Sequence, residues 1–176
     1  MQRALVMTII GKDRPGLVES VAAIITEHSG NWLESRMARL GGQFAGILRV
    51  EVPTDHESSL LSALKQLETR GLAVVVQPDQ AVTSLTAARL SSLDIIGQDR
   101  PGIVRQISRT LAQHGVNVEE LESECASAPM SGEVLFKAHA RLSIPPTCNT
   151  AVLREDLEKI AADLIVEISL ADLRQT

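Results

Sequence analysis

The hydrophobic and polar positions of the first half of the chain predict a regular series of helices and strands. Apolar residues recur at helical spacing in two segments, and in four others they alternate with polar residues or form short apolar runs typical of strands. In chain order the predicted segments are strand 3–10, helix 15–29, strand 31–40, strand 44–52, helix 57–69 and strand 72–77. The first half is therefore expected to follow the order β-α-β-β-α-β.

The second half repeats this series. Its predicted segments are a strand at 89–96, a helix at 103–111, a strand that opens at Asn117, a strand at 134–142, a helix at 152–161 and a strand at 165–170. We expect two domains, 1–80 and 89–176, joined by a linker at 81–88. The fold class is α+β: each domain is a ferredoxin-like (βαββαβ) antiparallel sheet with two helices on one face. Because the other face is uncovered, the repeats are expected to pair with each other or with another chain as a homodimer.

A near-repeat of eight residues links the first strand of each half to its helix. It reads Ile-Ile-Gly-Lys-Asp-Arg-Pro-Gly at 9–16 and Ile-Ile-Gly-Gln-Asp-Arg-Pro-Gly at 95–102. Gly11 and Gly97 are predicted to let the backbone leave the strand sharply. The segment is either a turn that serves only the fold, or an open helix N-terminus whose free N–H groups suit a small anion such as a carboxylate.

Two further residue types in this segment match a helix start. Asp13 and Asp99 are predicted to accept hydrogen bonds from the first N–H groups of the helix, as N-cap residues do. Pro15 and Pro101 are predicted to occupy the first helical turn, where a proline removes no needed donor.

The hairpin of the second half is longer than that of the first. The additional residues fall near 126–133 and include Ala-Pro-Met-Ser-Gly at Ala128–Gly132. They form either an elongated hairpin loop or a loop that contacts a partner or covers a ligand, since loops on a rigid scaffold often carry function.

Composition narrows the functional classes. Hydrophobic residues make up 44% and charged residues 22% of the 176 positions, as in an ordinary soluble globular protein. The formal net charge of −5 argues against direct binding to nucleic-acid phosphates. With 2% aromatic residues, a base-stacking surface is also excluded.

The chain has 2 cysteines, no stretch long enough to span a membrane and no signal peptide pattern, so a cytoplasmic location is expected. Motifs of serine hydrolases, phosphate-binding loops and zinc proteases are missing from the sequence. We therefore expect no catalytic residues, no metal site and no cofactor.

The histidines and a run of glutamates have structural interpretations. His28 and His114 occupy matching places at helix ends, where capping is the favoured role. His56 and His139 have no partner close in sequence. Strand alternation places Glu120, Glu122 and Glu124 on one side, where solvation is favoured over catalysis.

The Gly-x-Asp-Arg-Pro-Gly loop, the amphipathic helix behind it and the asparagine that opens the next strand resemble the ACT domain. Two such repeats fill nearly the whole chain without an attached enzyme. This tandem layout, with Ala-Pro-Met-Ser-Gly in the second hairpin, resembles the glycine cleavage system transcriptional repressor family.

The resemblance implies amino-acid binding at interfaces between paired ACT domains. Serine-binding members carry a histidine and an asparagine where this chain has glycine and aspartate, so the resemblance does not fix which amino acid binds. Glycine is the first guess for the ligand. The positions that the resemblance assigns to the ligand are Gly11, Asp13, Arg14, Pro15, Gly16, Leu17 and Asn31 in the first repeat, and Gly97, Asp99, Arg100, Pro101, Gly102, Ile103 and Asn117 in the second.

The expected function is that of a non-enzymatic amino-acid sensor. It would repress transcription by contacting a transcriptional activator protein, because the acidic chain does not favour direct DNA contact. An alternative is an ACT-type regulatory subunit that controls a metabolic enzyme. A hydrolase is disfavoured by the missing catalytic motifs.

Overall fold

The computed structural model describes residues 1–80, 88–127 and 132–173, and the chain divides into two compact units, Met1–Ala81 and Val82–Thr176. The predicted linker, apart from its last residue, and the predicted loop Ala128–Gly132, apart from its glycine, lie outside the described residues. Each unit is considered below on its own.

The first unit has the predicted order of elements. They are β1 (Gln2–Lys12), α1 (Leu17–Glu27), β2 (Asn31–Leu40), β3 (Gln43–Pro53), α2 (Glu57–Gln66), a short 3-10 turn (Leu67–Arg70) and β4 (Leu72–Pro78). The strands form one antiparallel sheet in the order β2-β3-β1-β4. Gly41 and Gly42 both have positive φ and form the turn between β2 and β3.

The second unit has the same topology. Its elements are β5 (Arg89–Gln98), α3 (Ile103–Gln113), β6 (Asn117–Ser127), β7 (Val134–Ile144), α4 (Thr150–Leu164) and β8 (Val166–Asp172). The sheet order is β6-β7-β5-β8, again antiparallel. The predicted α+β fold of two ferredoxin-like layers is thus confirmed.

Strict alternation along the central strands produces the core of each unit. In β1, Leu5, Met7 and Ile9 are buried, and they pack with Leu60 and Leu64 of α2. Removing each such side chain from water stabilises the fold by about 1.5–3 kcal/mol. The intervening residues of β1 point to the sheet face that carries no helix.

The helix-free faces of the two sheets differ in chemistry. In the first unit Ile10, Ile47 and Val75 lie on this face with 48%, 49% and 59% of their surface exposed. In the second unit, His139 of β7 lies between Asp94 and Glu122 on this face, and Lys137 lies between Ile96 and Glu124. The helix-free face therefore carries three exposed apolar side chains in the first unit and a row of charged side chains in the second.

Candidate functional site

The connection between the first strand and first helix of each unit is built around a glycine in the left-handed region. In the first unit Gly16 has φ 89° and is the N-cap of α1; in the second, Gly102 has φ 100° and is the N-cap of α3. A residue with a side chain is strained at such angles. Among the residues that the structure describes, neither helix has a side-chain hydrogen bond at its N-cap, which leaves the N–H groups of the first turn without a cap.

The capping prediction for the aspartates was therefore wrong, and so was the placement of the prolines. Asp13 does not cap α1; its Oδ2 lies 3.2 Å from Nε of Arg39 on β2. Pro15 and Pro101 stand one residue before the N-cap glycine rather than in the first helical turn. The glycine fixes the entry into the helix, which leaves the aspartate carboxylate available for other contacts.

Gly11 and Gly97 also differ from their prediction. Neither has positive φ, and β1 and β5 each continue one residue beyond the glycine. A Cβ at Gly11 would lie 2.5 Å from the carbonyl oxygen of Gly71, and a Cβ at Gly97 would lie 2.6 Å from Cγ1 of Val166. These glycines allow the start of β4 or β8 to approach the central strand; they do not turn the chain.

The first loop borders an open cavity of about 470 Å³. Its lining residues are Asp13, Arg14, Gly16, Leu17, Val18, Glu19 and Phe44. The loop is held in place by the N–H of Asp13, which donates to the carbonyl of Gly42 at 2.9 Å, and by Nη2 of Arg14, which donates to the carbonyl of Arg70 at 3.4 Å. The cavity thus brings helix N–H groups, a guanidinium and carboxylates together.

The second loop is anchored in the same way but has different neighbours. The N–H of Asp99 donates to the carbonyl of Val134 at 3.0 Å, and Nη2 of Arg100 donates to Oε1 of Gln98 at 3.1 Å. Cys125 lies beside Asp99: desolvation raises the pKa of the thiol, and the charge of Asp99 and its hydrogen bond raise it further. The thiol is therefore a neutral neighbour of the carboxylate at pH 7.

Asn31 and Asn117 lie far from the loops of their own units. Asn31 of β2 pairs with Glu51 of β3, and Glu51 pairs on its other side with Ala4 of β1. Ala4 is eight residues from Lys12, where β1 ends at the loop. At about 3.3 Å per residue this separation is roughly 26 Å. Asn117 is placed likewise, and its Nδ2 donates to Oε1 of Glu119 at 2.9 Å. Within one unit the asparagine and the loop cannot contact the same small molecule.

Comparison with known proteins identifies both units. One family model described as an ACT domain matches residues 3–77, and another matches residues 91–137. The chain contains two ACT domains in tandem. The predicted family resemblance is thus confirmed at the level of the domains.

Several relatives share this tandem arrangement. The glycine cleavage system transcriptional repressor of Escherichia coli is 21% identical over 175 residues, which cover 96% of this chain and 90% of the repressor. A crystal structure of an unknown protein from Galdieria sulphuraria is 30% identical, with a TM-score of 0.83, and the match covers 99% of this chain and 100% of that one. A protein provisionally named a glycine cleavage system transcriptional repressor has the same fold, with 20% identity, a TM-score of 0.73 and 99% of each chain covered.

A second cavity, of about 700 Å³, lies on the helix-free face of the second ACT domain. One row of side chains crosses it strand by strand, in the order Glu122, His139, Asp94 and Ser169. Nδ1 of His139 lies 2.6 Å from Oδ1 of Asp94, a contact that sequence reasoning missed because 45 residues separate the partners. The signal that could have found it is the register of β5 and β7, which places His139 opposite Asp94.

This row does not form a nucleophilic triad. Ser169 and His139 lie on either side of Asp94, two strands apart, or roughly 10 Å at the usual strand spacing. A general base must be within hydrogen-bond distance of the hydroxyl that it deprotonates. Among residues 1–80, 88–127 and 132–173, no group of three or more His, Cys, Asp or Glu is placed to hold a metal ion.

His28 and His114 lie at helix C-termini, and Nδ1 of His56 contacts the carbonyl of His28 at 3.0 Å. The capping prediction is confirmed for His28, whose Nδ1 contacts the carbonyl of Ile24 at 2.8 Å. His114 also lies at a helix C-terminus, but its Nε2 contacts Oδ2 of Asp156 on α4 at 3.1 Å. Hydrogen bonds from Lys159 and His114 lower the pKa of Asp156.

In the described part of the chain, no helix is long and apolar enough to cross a membrane.

Proposed function

We propose that this protein is a non-enzymatic sensor of a small amino acid that represses transcription through a protein partner. The observation that carries the proposal is the alignment with the Escherichia coli repressor, which spans both ACT domains and covers 96% of this chain and 90% of the relative. The missing catalytic motifs and the separated Ser169 and His139 support a binding role over a catalytic one.

The proposed ligand site is one or both of the loops that end β1 and β5. A free amino acid carries a carboxylate, which the open N–H groups of a helix start can bind, and an ammonium, which Asp13 or Asp99 can bind. Arg14 and Arg100, which donate to the carbonyl of Arg70 and to Oε1 of Gln98, add positive charge to the loops. Gly11 and Gly97 act indirectly, by allowing the start of β4 or β8 to approach the strand that leads into the loop.

Asn31 and Asn117 take part in this proposal only through pairing of domains. Since each lies at the far end of its own sheet, an asparagine can reach a loop-bound amino acid only from another ACT domain. This agrees with the expectation that ACT domains bind ligands where two of them meet, within one chain or in a homodimer.

Glycine is the first ligand to test, and its size limits the affinity. The most efficient small ligands gain about 1.5 kcal/mol per non-hydrogen atom, so glycine can gain at most ~7.5 kcal/mol. This value corresponds to a dissociation constant no tighter than roughly a few micromolar. A functional site would therefore respond in the micromolar to millimolar range of metabolite concentrations.

The partner is proposed to be a transcriptional activator protein because the net charge of −5 disfavours direct contact with DNA phosphates. Titration calorimetry of the purified chain against glycine, serine, alanine and other amino acids tests the sensor. Affinity capture with the purified chain tests the partner: recovery of a transcription factor supports the proposal, whereas recovery of a metabolic enzyme supports the alternative of an ACT-type regulatory subunit.

A further inference from the structure

The edge strand β4 of the first ACT domain carries no charged residue. It reads Leu-Ala-Val-Val-Val-Gln-Pro over Leu72–Pro78 and forms one end of the sheet. The other edge strands in the described part of the chain are β2, β6 and β8, and each carries charged side chains, such as Arg36, Glu122 and Glu167. Charged side chains commonly protect an edge strand from pairing with another strand. β4 lacks this protection.

Backbone hydrogen-bonding groups line the outer side of β4. The N–H of Asp79 donates to the carbonyl of Ala4 at 3.0 Å, and this bond fixes the alternation of the β1–β4 ladder: the odd-numbered residues of β4 bond to β1. The N–H and C=O groups of Leu72, Val74 and Val76 therefore point away from β1, and no described residue bonds to them. The edge can thus accept a further strand.

The side chains of β4 suit a copy of the same strand. Val75 is the middle residue of β4 and is 59% exposed. Antiparallel pairing about Val75 would overlap the whole strand, with Val75 opposite the same residue of the copy and Val74 opposite Val76. The N–H groups of Val74 and Val76 would donate to each other's carbonyls across the contact, and the N–H of Leu72 would donate to the carbonyl of Pro78. No charge would oppose a like charge, whereas the same pairing of β6 about its middle residue would place glutamates opposite glutamates.

We propose that β4 is the edge through which two copies of this chain join, so that their first ACT domains share one continuous antiparallel sheet. A second copy fits this edge because pairing about a two-fold axis covers both unprotected edges at once, which removes a site of open-ended aggregation. The pairing leaves β2 and Asn31 free at the opposite end of the sheet, where the proposed amino-acid site requires another ACT domain. It does not depend on amino-acid binding, which calorimetry tests separately.

Sedimentation equilibrium of the full chain measures the dissociation constant of this dimer. Val75→Lys places two ammonium groups opposite each other at the centre of the contact, and we expect it to weaken dimerisation at least about tenfold. Ile47→Lys is the matched control, because Ile47 lies on the same helix-free face with 49% exposure but on the interior strand β3. This control should dimerise as the unmodified chain does, and circular dichroism should show the same fold for all variants.

Three results would overturn the proposal. An unmodified chain that stays monomeric at the highest concentration measured has no such contact. Equal weakening by Ile47→Lys and Val75→Lys would assign the dimer to packing of the helix-free faces. Weakening by Leu33→Lys, at a residue of β2 that is 38% exposed, with no effect of Val75→Lys, would assign it to the opposite edge.

Cysteine cross-linking tests the register of the two strands without a charge. In a chain that carries Cys125→Ser and Cys148→Ser, Val75→Cys puts two thiols in a pair without backbone hydrogen bonds. The Cα atoms of such a pair are about 4.5 Å apart, within the range of roughly 4.4–6.8 Å found for disulfides. Oxidation with diamide should give a linked dimer, whereas Ala73→Cys, which would face Gln77 of the copy, should stay unlinked. No linkage in Val75→Cys, or equal linkage in both variants, would contradict the proposed pairing.

Discussion

Replacement of Gly11 by alanine tests whether this glycine serves the fold or the ligand. The added Cβ would lie 2.5 Å from the carbonyl oxygen of Gly71 and 3.1 Å from Cδ1 of Leu72. The first of these neighbours is backbone, and Leu72 pairs with Gly11 in the β1–β4 ladder, so relief requires a shift of β4. Overpacking typically costs about 1–3 kcal/mol, and a rigid backbone neighbour favours the upper end.

Alanine also reduces the conformational entropy of the unfolded chain, which offsets about 0.4–1 kcal/mol of this destabilisation. The net decrease in the free energy of unfolding is therefore expected to be about 2 kcal/mol. With a urea dependence of about 2 kcal/mol per molar, the midpoint falls by roughly 1 M.

Trp32 makes this measurement specific to the first unit. It is the single tryptophan of the chain and packs against the first core, so its fluorescence during urea unfolding follows that unit. Gly16→Ala is the matched control. A Cβ at Gly16 would enter open space, so this variant has no packing clash. It keeps only the strain of a left-handed residue, about 1–2 kcal/mol, which the lower entropy of the unfolded chain partly offsets. A Gly11→Ala midpoint equal to that of the unmodified chain would refute the packing argument and return Gly11 to the candidate ligand residues.

Three further results are expected. Leu60→Ala, at a fully buried position, should lower the free energy of unfolding by about 2–5 kcal/mol. Leu61→Ala, at a residue that is 37% exposed, should change it by less than about 1 kcal/mol. Urea unfolding followed by the fluorescence of Trp32 measures both changes. Hydrogen bonds from Lys159 and His114 lower the pKa of Asp156 from 3.8, so the ionised carboxylate stabilises the fold above pH 3.8 and loses this effect as the pH falls through the lowered pKa. The difference in the free energy of unfolding between the unmodified chain and Asp156→Asn should therefore vanish in acid. A difference that stays constant with pH would contradict this. The purified chain should give no footprint on duplex DNA at physiological salt without a protein partner, and a footprint would exclude the proposed indirect mechanism.

Local pattern was sufficient to predict the elements. The β2–β3 turn at Gly41 and Gly42 follows from two glycines between alternating strands, because a two-residue hairpin needs positive φ. The core positions Leu48, Val50 and Val52 follow from the period of two. Each of these features depends on residues close together in the chain.

The parts of the site that sequence reasoning placed wrongly depend on distant residues. Asp13 has the side chain of an N-cap, but Arg39 on β2 takes its carboxylate. Gly11 has the freedom of a turn residue, but the contact that requires it is the carbonyl of Gly71, which belongs to the other end of the unit. Strand register decides such contacts, and a local pattern does not contain the register.

The two helix-free sheet faces have different consequences for binding as salt concentration changes. A surface formed by Ile10, Ile47 and Val75 holds a partner by removing apolar area from water, and moderate salt does not weaken that contribution. A surface formed by Asp94, Glu122 and Lys137 acts through exposed charges, whose interactions are screened over about 8 Å at physiological ionic strength. Raising the salt concentration should therefore weaken a partner's binding to the second surface more than its binding to the first, so the salt dependence of binding indicates which surface a partner uses without a substitution.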